Sequence, residues 1–320
     1  MAGAAAPLGR VAEPDTFRRK GPRLARALRV VAEGPREASV PGGWLDSGAV
    51  ERDPWQLAFE AARAAGVELR PLAELEDADR ILRVMDATWA GHEPFPREVL
   101  RALADSGNVP YGAFDGDEMV GYVLGWVGVD PEDGLHTHSH MLAALPGRRH
   151  RGVGYALKLA QRAQALDQGI AEVRWTFDPL VARNGYFNLH KLGAIADRFD
   201  RNHYGAMVDE VNAGERSDRF IVRWDLRREP GPRDVAAHEA ALQDDDGWPG
   251  GVHAPSGRGA LVAVPSDYAR LRADDAACAS AWRDASAQAI EACLTAGMIA
   301  AGFDRGASSY AFALSEDVPR

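Results

Sequence analysis

The sequence has little cysteine and no long apolar run. Its only cysteines, Cys278 and Cys293, lie 15 residues apart in a segment with helical periodicity, and two such residues cannot form a disulfide framework or a zinc cage. No stretch approaches the roughly 18 consecutive apolar residues of a membrane span. The start, MAGAAAPLGRVAEPDTFRRK, lacks the charge-then-apolar order of a signal peptide. We therefore expect a cytoplasmic protein that has no membrane partner.

Positive charge is also scarce. The 320 residues include 37 Lys+Arg and 47 Asp+Glu, which gives a net charge of −10. A protein that coats nucleic acid needs a basic surface, so we predict no nucleic-acid partner. With 46% hydrophobic and 26% charged residues, the composition is that of a globular protein and excludes disorder over the whole chain.

The pattern of elements divides the chain into four parts. Residues 1–50 are rich in Ala, Gly and Pro and predict a poorly ordered arm. Residues 51–226 alternate between helical and strand-like segments, which is typical of a mixed α/β sheet, and Asp115-Gly116-Asp117 predicts a hairpin. Residues 227–258 predict a linker or flap. Residues 259–320 predict a C-terminal strand-helix-strand extension that adds to the sheet or forms a homodimer surface, with a separate activity less favoured.

A glycine-containing segment follows the strand predicted at residues 136–145. Arg149-His150-Arg151-Gly152-Val153-Gly154 places three side-chain donors and two glycines at the start of a helix. Glycine lets backbone N–H groups approach a phosphate closely, and the helix dipole adds attraction. A Walker loop is absent, and a dinucleotide fingerprint would need a third glycine where Leu157 stands. The segment predicts a pyrophosphate site; the alternative is a glycine-capped helix with solvent-facing arginines.

The order of elements around this segment resembles that of the GNAT superfamily of acyl-CoA N-acyltransferases, over about residues 67–226. Arg149-x-x-Gly152-x-Gly154 is similar to the acyl-CoA-binding signature of that family. A closer likeness, to a bacterial subgroup of predicted acetyl- and succinyltransferases, is carried by His138-Ser139-His140-Met141-Leu142, Trp175-Thr176-Phe177-Asp178-Pro179-Leu180, Arg183-Asn184, Phe187-Asn188 and Lys191-Leu192-Gly193. The resemblance implies a mixed, mostly antiparallel sheet flanked by helices.

The resemblance also implies a donor site for acetyl-CoA or succinyl-CoA. The backbone from Arg149 to Gly154 would hold the pyrophosphate, and the pantetheine arm would lie where the two central strands splay apart. Asn184 and Asn188 could face the cofactor from one helix face; the alternatives are a helix cap and a surface amide. The residues implied for cofactor binding are Met141, Leu142, Ala143, Arg149, His150, Arg151, Gly152, Val153, Gly154, Asn184 and Asn188.

Transfer to an amine requires a base, because an alkyl ammonium has a pKa of about 10. His136, His138 and His140 alternate and therefore share one strand face. His138 or His140 is a candidate base; the alternative is hydrogen bonding within the sheet. A metal site is less favoured, since this spacing on a flat strand does not suit tetrahedral ligation.

Two further candidates follow from the family pattern. Many GNAT enzymes have a tyrosine four residues before the helix-ending glycine, where it protonates the departing thiolate, but Leu189 holds that position here. Tyr186, one turn earlier, could replace it, although a thiol of pKa about 8.5 needs little help to leave. Asp178, at a strand end, could bind the ammonium, accept its proton or cap the next turn.

The predicted function is transfer of an acetyl or succinyl group from CoA to the amino group of a small amino-acid-like metabolite, by direct attack in a ternary complex. A succinyl donor would want a cation near the thioester, and Arg174, Arg183 and Arg201 are candidates. The alternative is a catalytically inactive acyl-CoA sensor or scaffold, which the residue at position 189 favours. Protein N-acetylation is less favoured, because net charge alone does not create an acidic groove.

Overall fold

The computed structural model describes residues 52–89, 95–148, 151–205, 216–237 and 239–318, all of which belong to one compact unit. The predicted N-terminal arm, Arg149 and His150 lie outside the described residues. Within the described ranges, every helix is too short or too polar to cross a membrane.

The helices are α1 (Pro54–Ala64), α2 (Leu75–Thr88), α3 (Arg97–Asp105), α4 (Val153–Asp167), α5 (Ala182–Gly185), α6 (Tyr268–Asp274) and α7 (Ala276–Thr295), with a 3-10 turn at Pro146–Arg148 and a π-helical segment at Tyr186–Lys191. The strands are β1 (Glu68–Pro71), β2 (Tyr111–Asp115), β3 (Glu118–Asp130), β4 (Gly134–Ala144), β5 (Glu172–Phe177), β6 (Ile195–Asp200), β7 (Arg219–Asp225), β8 (Glu239–Leu242), β9 (Asp244–Asp245), β10 (Trp248–Pro249), β11 (Gly259–Ala263), β12 (Met298–Asp304) and β13 (Ser309–Leu314).

Eleven of these strands form one sheet in the order β1-β2-β3-β4-β5-β7-β6-β12-β13-β11-β8. Neighbouring strands in this sheet are antiparallel except for two parallel pairs, β4 with β5 and β11 with β8. The predicted fold class, a mixed and mostly antiparallel sheet flanked by helices, is therefore confirmed. The hairpin predicted at Asp115-Gly116-Asp117 joins β2 to β3, and Gly116 has the positive φ of 59° that such a turn requires.

Helices cover the two faces of the sheet differently. On one face, α1 and α4 pack with β5 and β7, and the core there includes Leu157, Val173 and Trp224. On the other face, α2 and α3 cover the first strands and bury Ile81 and Tyr122. Because α4 packs against both the sheet and α1, ten of its side chains are buried, including three polar ones, Lys158, Gln161 and Arg162.

The C-terminal part continues the same sheet. β12 pairs with β6 through Ala300 and Ala196, and β8 lies within the stretch predicted as a linker or flap. Helix α7 packs its buried face, which includes Trp282 and Ile290, into the core shared with α4. Both cysteines lie on this helix, are unpaired and are buried at 2% and 0% exposure.

Two local features differ from the sequence prediction. The segment that carries Asn184 and Asn188, which we expected to be one helix, is a short α turn followed by the π segment, in which the Leu192 N–H donates to the Phe187 carbonyl at 3.1 Å. Such segments are rare and often occur at functional sites. Strand β6 was not predicted, because its charged residues obscure the alternation of apolar and polar side chains that marks a strand. In the structure, Asp197 of this strand forms an ion pair with Arg223 at 3.4 Å.

Candidate functional site

The central strands β4 and β5 separate after a short paired stretch. Within the described residues, their pairing consists of Thr137 with Val173 and His138 with Arg174. Beyond these residues β4 continues for six residues to Ala144 and β5 for three to Phe177, so a cleft opens between their carboxyl ends. The edge of β4 that faces this cleft carries Met141, Leu142 and Ala143, the residues predicted to meet the pantetheine arm.

A β-bulge lies at the vertex of this cleft. Gly125 on β3 opposes Ser139, whereas the preceding Leu124 opposes Met141. His140 is therefore the extra residue on β4. Bulges of this kind redirect side chains and are frequent next to active sites. The bulge leaves His140 exposed at the start of the cleft.

Helix α4 begins at the mouth of the cleft. Gly152 is its N-cap with φ of 91°, a left-handed conformation that favours glycine. Among the described residues no side chain caps the helix, and its first turn has no acidic residue. The Ala156 N–H is bonded to the Gly152 carbonyl at 3.0 Å, so the N–H groups of Val153, Gly154 and Tyr155 precede the first helical hydrogen bond. These groups suit an anion such as a diphosphate.

The surroundings of Gly154 fit a ligand that approaches the backbone. A Cβ on this residue would meet only Leu142 Cδ2, at the ordinary distance of 3.7 Å. Packing within the protein therefore does not require glycine here. Arg151 is exposed, and in the described part of the chain nothing pairs with it. Arg149 and His150, which lie outside the described residues, stay predictions.

Two of the three histidines form an aromatic cluster with Trp126 of β3. The His138 and His140 rings lie 5.8 Å apart, and Trp126 lies 5.1 Å from the first and 4.8 Å from the second. Phe95 approaches His140 at 6.3 Å. The predicted common face of the two histidines is thus confirmed, whereas Trp126 was not predicted as part of the site.

Burial and the nearby positive charges of His140, His136, Lys158 and His203 lower the pKa of His138 to about 4. His138 is therefore neutral at pH 7. Between pH 6.5 and 4, His138 is protonated in the unfolded chain but stays neutral in the folded protein. This residue therefore lowers the free energy of unfolding as the pH falls through that window.

We expect His138→Gln to remove this part of the acid sensitivity. Urea unfolding at pH 7 and at pH 5 should show a smaller loss of stability for the variant than for the wild-type protein, because glutamine does not titrate. An equal loss in both proteins would contradict the lowered pKa.

Asp178 is engaged by partners from distant parts of the chain. Its carboxylate accepts hydrogen bonds from both terminal nitrogens of Arg283 on α7, at 2.7 and 2.9 Å, and from the Leu180 N–H at 2.9 Å. Arg219 lies 3.7 Å away. The bond to Leu180 matches the turn-capping alternative. A role as base would require Asp178 to leave a paired, largely buried environment.

Tyr186 and the two asparagines lie on the α5 and π segments. The Tyr186 ring stacks on His190 at 4.6 Å, with Arg305 of the C-terminal part 5.6 Å above it. Asn188 is only 4% exposed, so the surface-amide alternative is wrong. Asn184 is half-buried and does not cap α5, whose N-cap is Val181.

Residues 75–193 match the family model described as acetyltransferase (GNAT) family. This part of the chain is a GNAT acetyltransferase domain. The match indicates an enzyme with the general activity of this family, acyl-CoA-dependent N-acetylation, and confirms the resemblance to the GNAT superfamily, whereas the bacterial subgroup stays a prediction.

The GNAT domain also has similar solved structures. A GNAT-family acetyltransferase from Desulfovibrio desulfuricans is 20% identical, with a TM-score of 0.39, over 50% of this chain and 99% of its own. The ribosomal-protein alanine N-acetyltransferase from Escherichia coli is 15% identical, with a TM-score of 0.41, over 50% and 94%. An aminoglycoside acetyltransferase from an uncultured soil sample is 19% identical, with a TM-score of 0.32, over 35% and 78%. No curated protein matches the sequence.

Proposed function

We propose that the protein transfers an acetyl group from acetyl-CoA to the amino group of a small, amino-acid-like metabolite. The observation that carries this proposal is the cleft between β4 and β5, which opens beside the uncapped start of α4. The helix start offers backbone donors to the diphosphate. The open strand edge offers backbone groups to the amides of the pantetheine arm.

Charge pairing favours an acetyl over a succinyl donor. Arg174 is 5% exposed and is bound by Asp130 at 3.2 Å, Asp133 at 2.8 Å and Glu172. Arg201 forms two hydrogen bonds of 2.6 Å with Glu291. Two of the three predicted partners for a succinyl carboxylate are thus occupied by protein carboxylates, and the third, Arg183, also has an interaction of its own.

The acceptor side of the cleft is aromatic. Trp126 and the two histidines lie on the sheet face that also carries Thr176, whose hydroxyl group lies 2.9 Å from that of Tyr204. Tyr204 is 48% exposed. Aromatic faces attract ammonium groups, and a neutral His138 does not repel one. This surface suits a small amine that arrives protonated.

We assign the base to His140. It takes a proton from the ammonium, and the neutral nitrogen then attacks the thioester carbonyl carbon. The C–S bond breaks as the tetrahedral intermediate collapses, and the departing CoA thiolate takes up the second proton that the attacking nitrogen loses, which leaves a neutral amide. A thiolate with a parent pKa of about 8.5 needs no strong acid to depart, which is compatible with leucine at position 189.

The experiment that tests this function measures thiol release. Purified protein is incubated with acetyl-CoA or succinyl-CoA and a panel of amino acids and related amines. We expect acetyl-CoA with at least one amine to release thiol, and succinyl-CoA to be slower. Tight CoA binding by calorimetry without thiol release from any pair would reject acyl transfer in favour of a sensor.

His140→Gln should lower kcat by about 100-fold, which is typical for loss of a general base. The KM for acetyl-CoA should change little, because the diphosphate contacts remain. His138→Gln is the matched comparison, since the same substitution is made two residues away on the same face, and we expect its effect on kcat to be much smaller. A larger effect at His138 would overturn the assignment.

A further inference from the structure

Lys158 is a fully buried cation below the vertex of the cleft. It is 2% exposed on α4, on the side of the sheet opposite the histidine cluster. Its ammonium donates hydrogen bonds to Ser139 Oγ at 3.0 Å and to Gln161 Oε1 at 2.9 Å. It also lies 3.8 Å from the centroid of the Trp175 ring. A lysine side chain is rarely buried without a compensating role.

The partners of Lys158 mark the point where the strands part. The last paired residues are His138 on β4 and Arg174 on β5. Ser139 and Trp175 are the next residue on each strand, so the ammonium contacts the first unpaired residue of both. It reaches them from the helix whose start lies at the mouth of the cleft.

Burying the Lys158 ammonium costs free energy, because the charge loses its contact with water. Desolvation lowers the pKa of Lys158 to about 7, and no carboxylate in the described part of the chain helps to hold its charge. A methionine of similar length would fill much the same space and would carry no charge to desolvate. Packing alone therefore does not explain a lysine here.

We propose that Lys158 is a positioning residue that bridges β4 and β5 at the vertex and thereby fixes the spacing of the cleft in which acyl-CoA would bind. The inference rests on the proposed function, since it concerns the same cleft. The hydrogen bond to Ser139 holds β4, the cation–π contact with Trp175 holds β5, and Gln161 orients the ammonium. Lys158 does not itself touch the reacting atoms.

The test replaces Lys158 by methionine in the full-length chain. We expect the Kd for CoA and the KM for acetyl-CoA to rise about 10-fold, which corresponds to loss of one modest polar contact network. Both kcat and the KM for the amine should change less than about threefold. The melting temperature should stay level or rise, because a desolvated charge is removed. A purely structural lysine would instead lower the melting temperature when replaced and leave the donor KM unchanged.

Two further variants keep the test decisive. Ser139→Ala retains the ammonium and removes only the link to β4, so it should also weaken CoA binding, even if Lys158→Met fails to fold. Gln164→Met is the control on the same helix: it removes a 3.0 Å bond to the Val109 carbonyl and should leave CoA binding unchanged.

Unaltered CoA affinity in folded Lys158→Met or in Ser139→Ala would overturn the positioning role alone. Failure of the wild-type protein to bind CoA would instead overturn the proposed function. Calorimetry with CoA therefore separates the two failures.

Discussion

Replacing Gly154 by leucine should reduce CoA affinity by at least about 100-fold and leave the protein folded. Position 154 is in the first turn of α4 with an ordinary φ, and an added Cβ meets only the end of Leu142 at 3.7 Å. Leucine is the better helix former by about 0.8 kcal/mol, so the fold should tolerate it. The side chain would nevertheless occupy the space through which a diphosphate reaches the N–H groups.

Gly251→Leu is the matched control for this experiment. Gly251 is exposed, has an ordinary φ, and would place its Cβ 3.6 Å from the His253 ring. Calorimetric titration with CoA should give the wild-type Kd for this variant. If Gly154→Leu also kept that Kd while folded, the start of α4 would not be the diphosphate site.

Arg283→Met should lower the free energy of unfolding by about 3–5 kcal/mol, which is typical when one partner of a buried ion pair is lost. Arg283 and Asp178 have side chains only 7% and 15% exposed, and the substitution leaves the carboxylate with Arg219 at 3.7 Å as its nearest cation. Urea denaturation measures the loss. Combining the change with Asp178→Asn should recover most of it, because the unpaired charge is then gone.

The chain offers a matched comparison for this ion pair. Arg201, which follows β6, and Glu291 on α7 also form two hydrogen bonds, but their side chains are 36% and 44% exposed. Arg201→Met should therefore cost under about 1 kcal/mol. Equal costs at the two positions would mean that the contact between Arg283 and Asp178 adds no more stability than a surface pair.

Local chemistry made part of the fold predictable. The turn at Gly116, the start of α4 at Gly152 and the common face of His138 and His140 all follow from residue types within a few positions of each other. Strand β6 was missed because its polar residues find partners on β7, and such pairing depends on which strands become neighbours. The π segment likewise leaves no pattern in the sequence.

The site was less predictable where it depends on distant contacts. Asp178 and Arg283 are 105 residues apart, so nothing in the sequence near Asp178 indicates that its carboxylate is occupied. Nothing in the residues next to Lys158 indicates that its ammonium is enclosed, because its contacts with Ser139 on β4 and Trp175 on β5 depend on how α4 packs on the sheet. Trp126 joins the site through its pairing with His138 across two strands.

The burial of the two cysteines bears on how turnover can be followed. Burial raises the pKa of Cys278 and raises that of Cys293 to about 12, so neither sulfur forms thiolate in the native protein near neutral pH. The sequence contains no other cysteine. An aromatic disulfide reagent added during catalysis should therefore react only with the thiol of released CoA. A reaction with the cysteines of the enzyme itself would indicate unfolding.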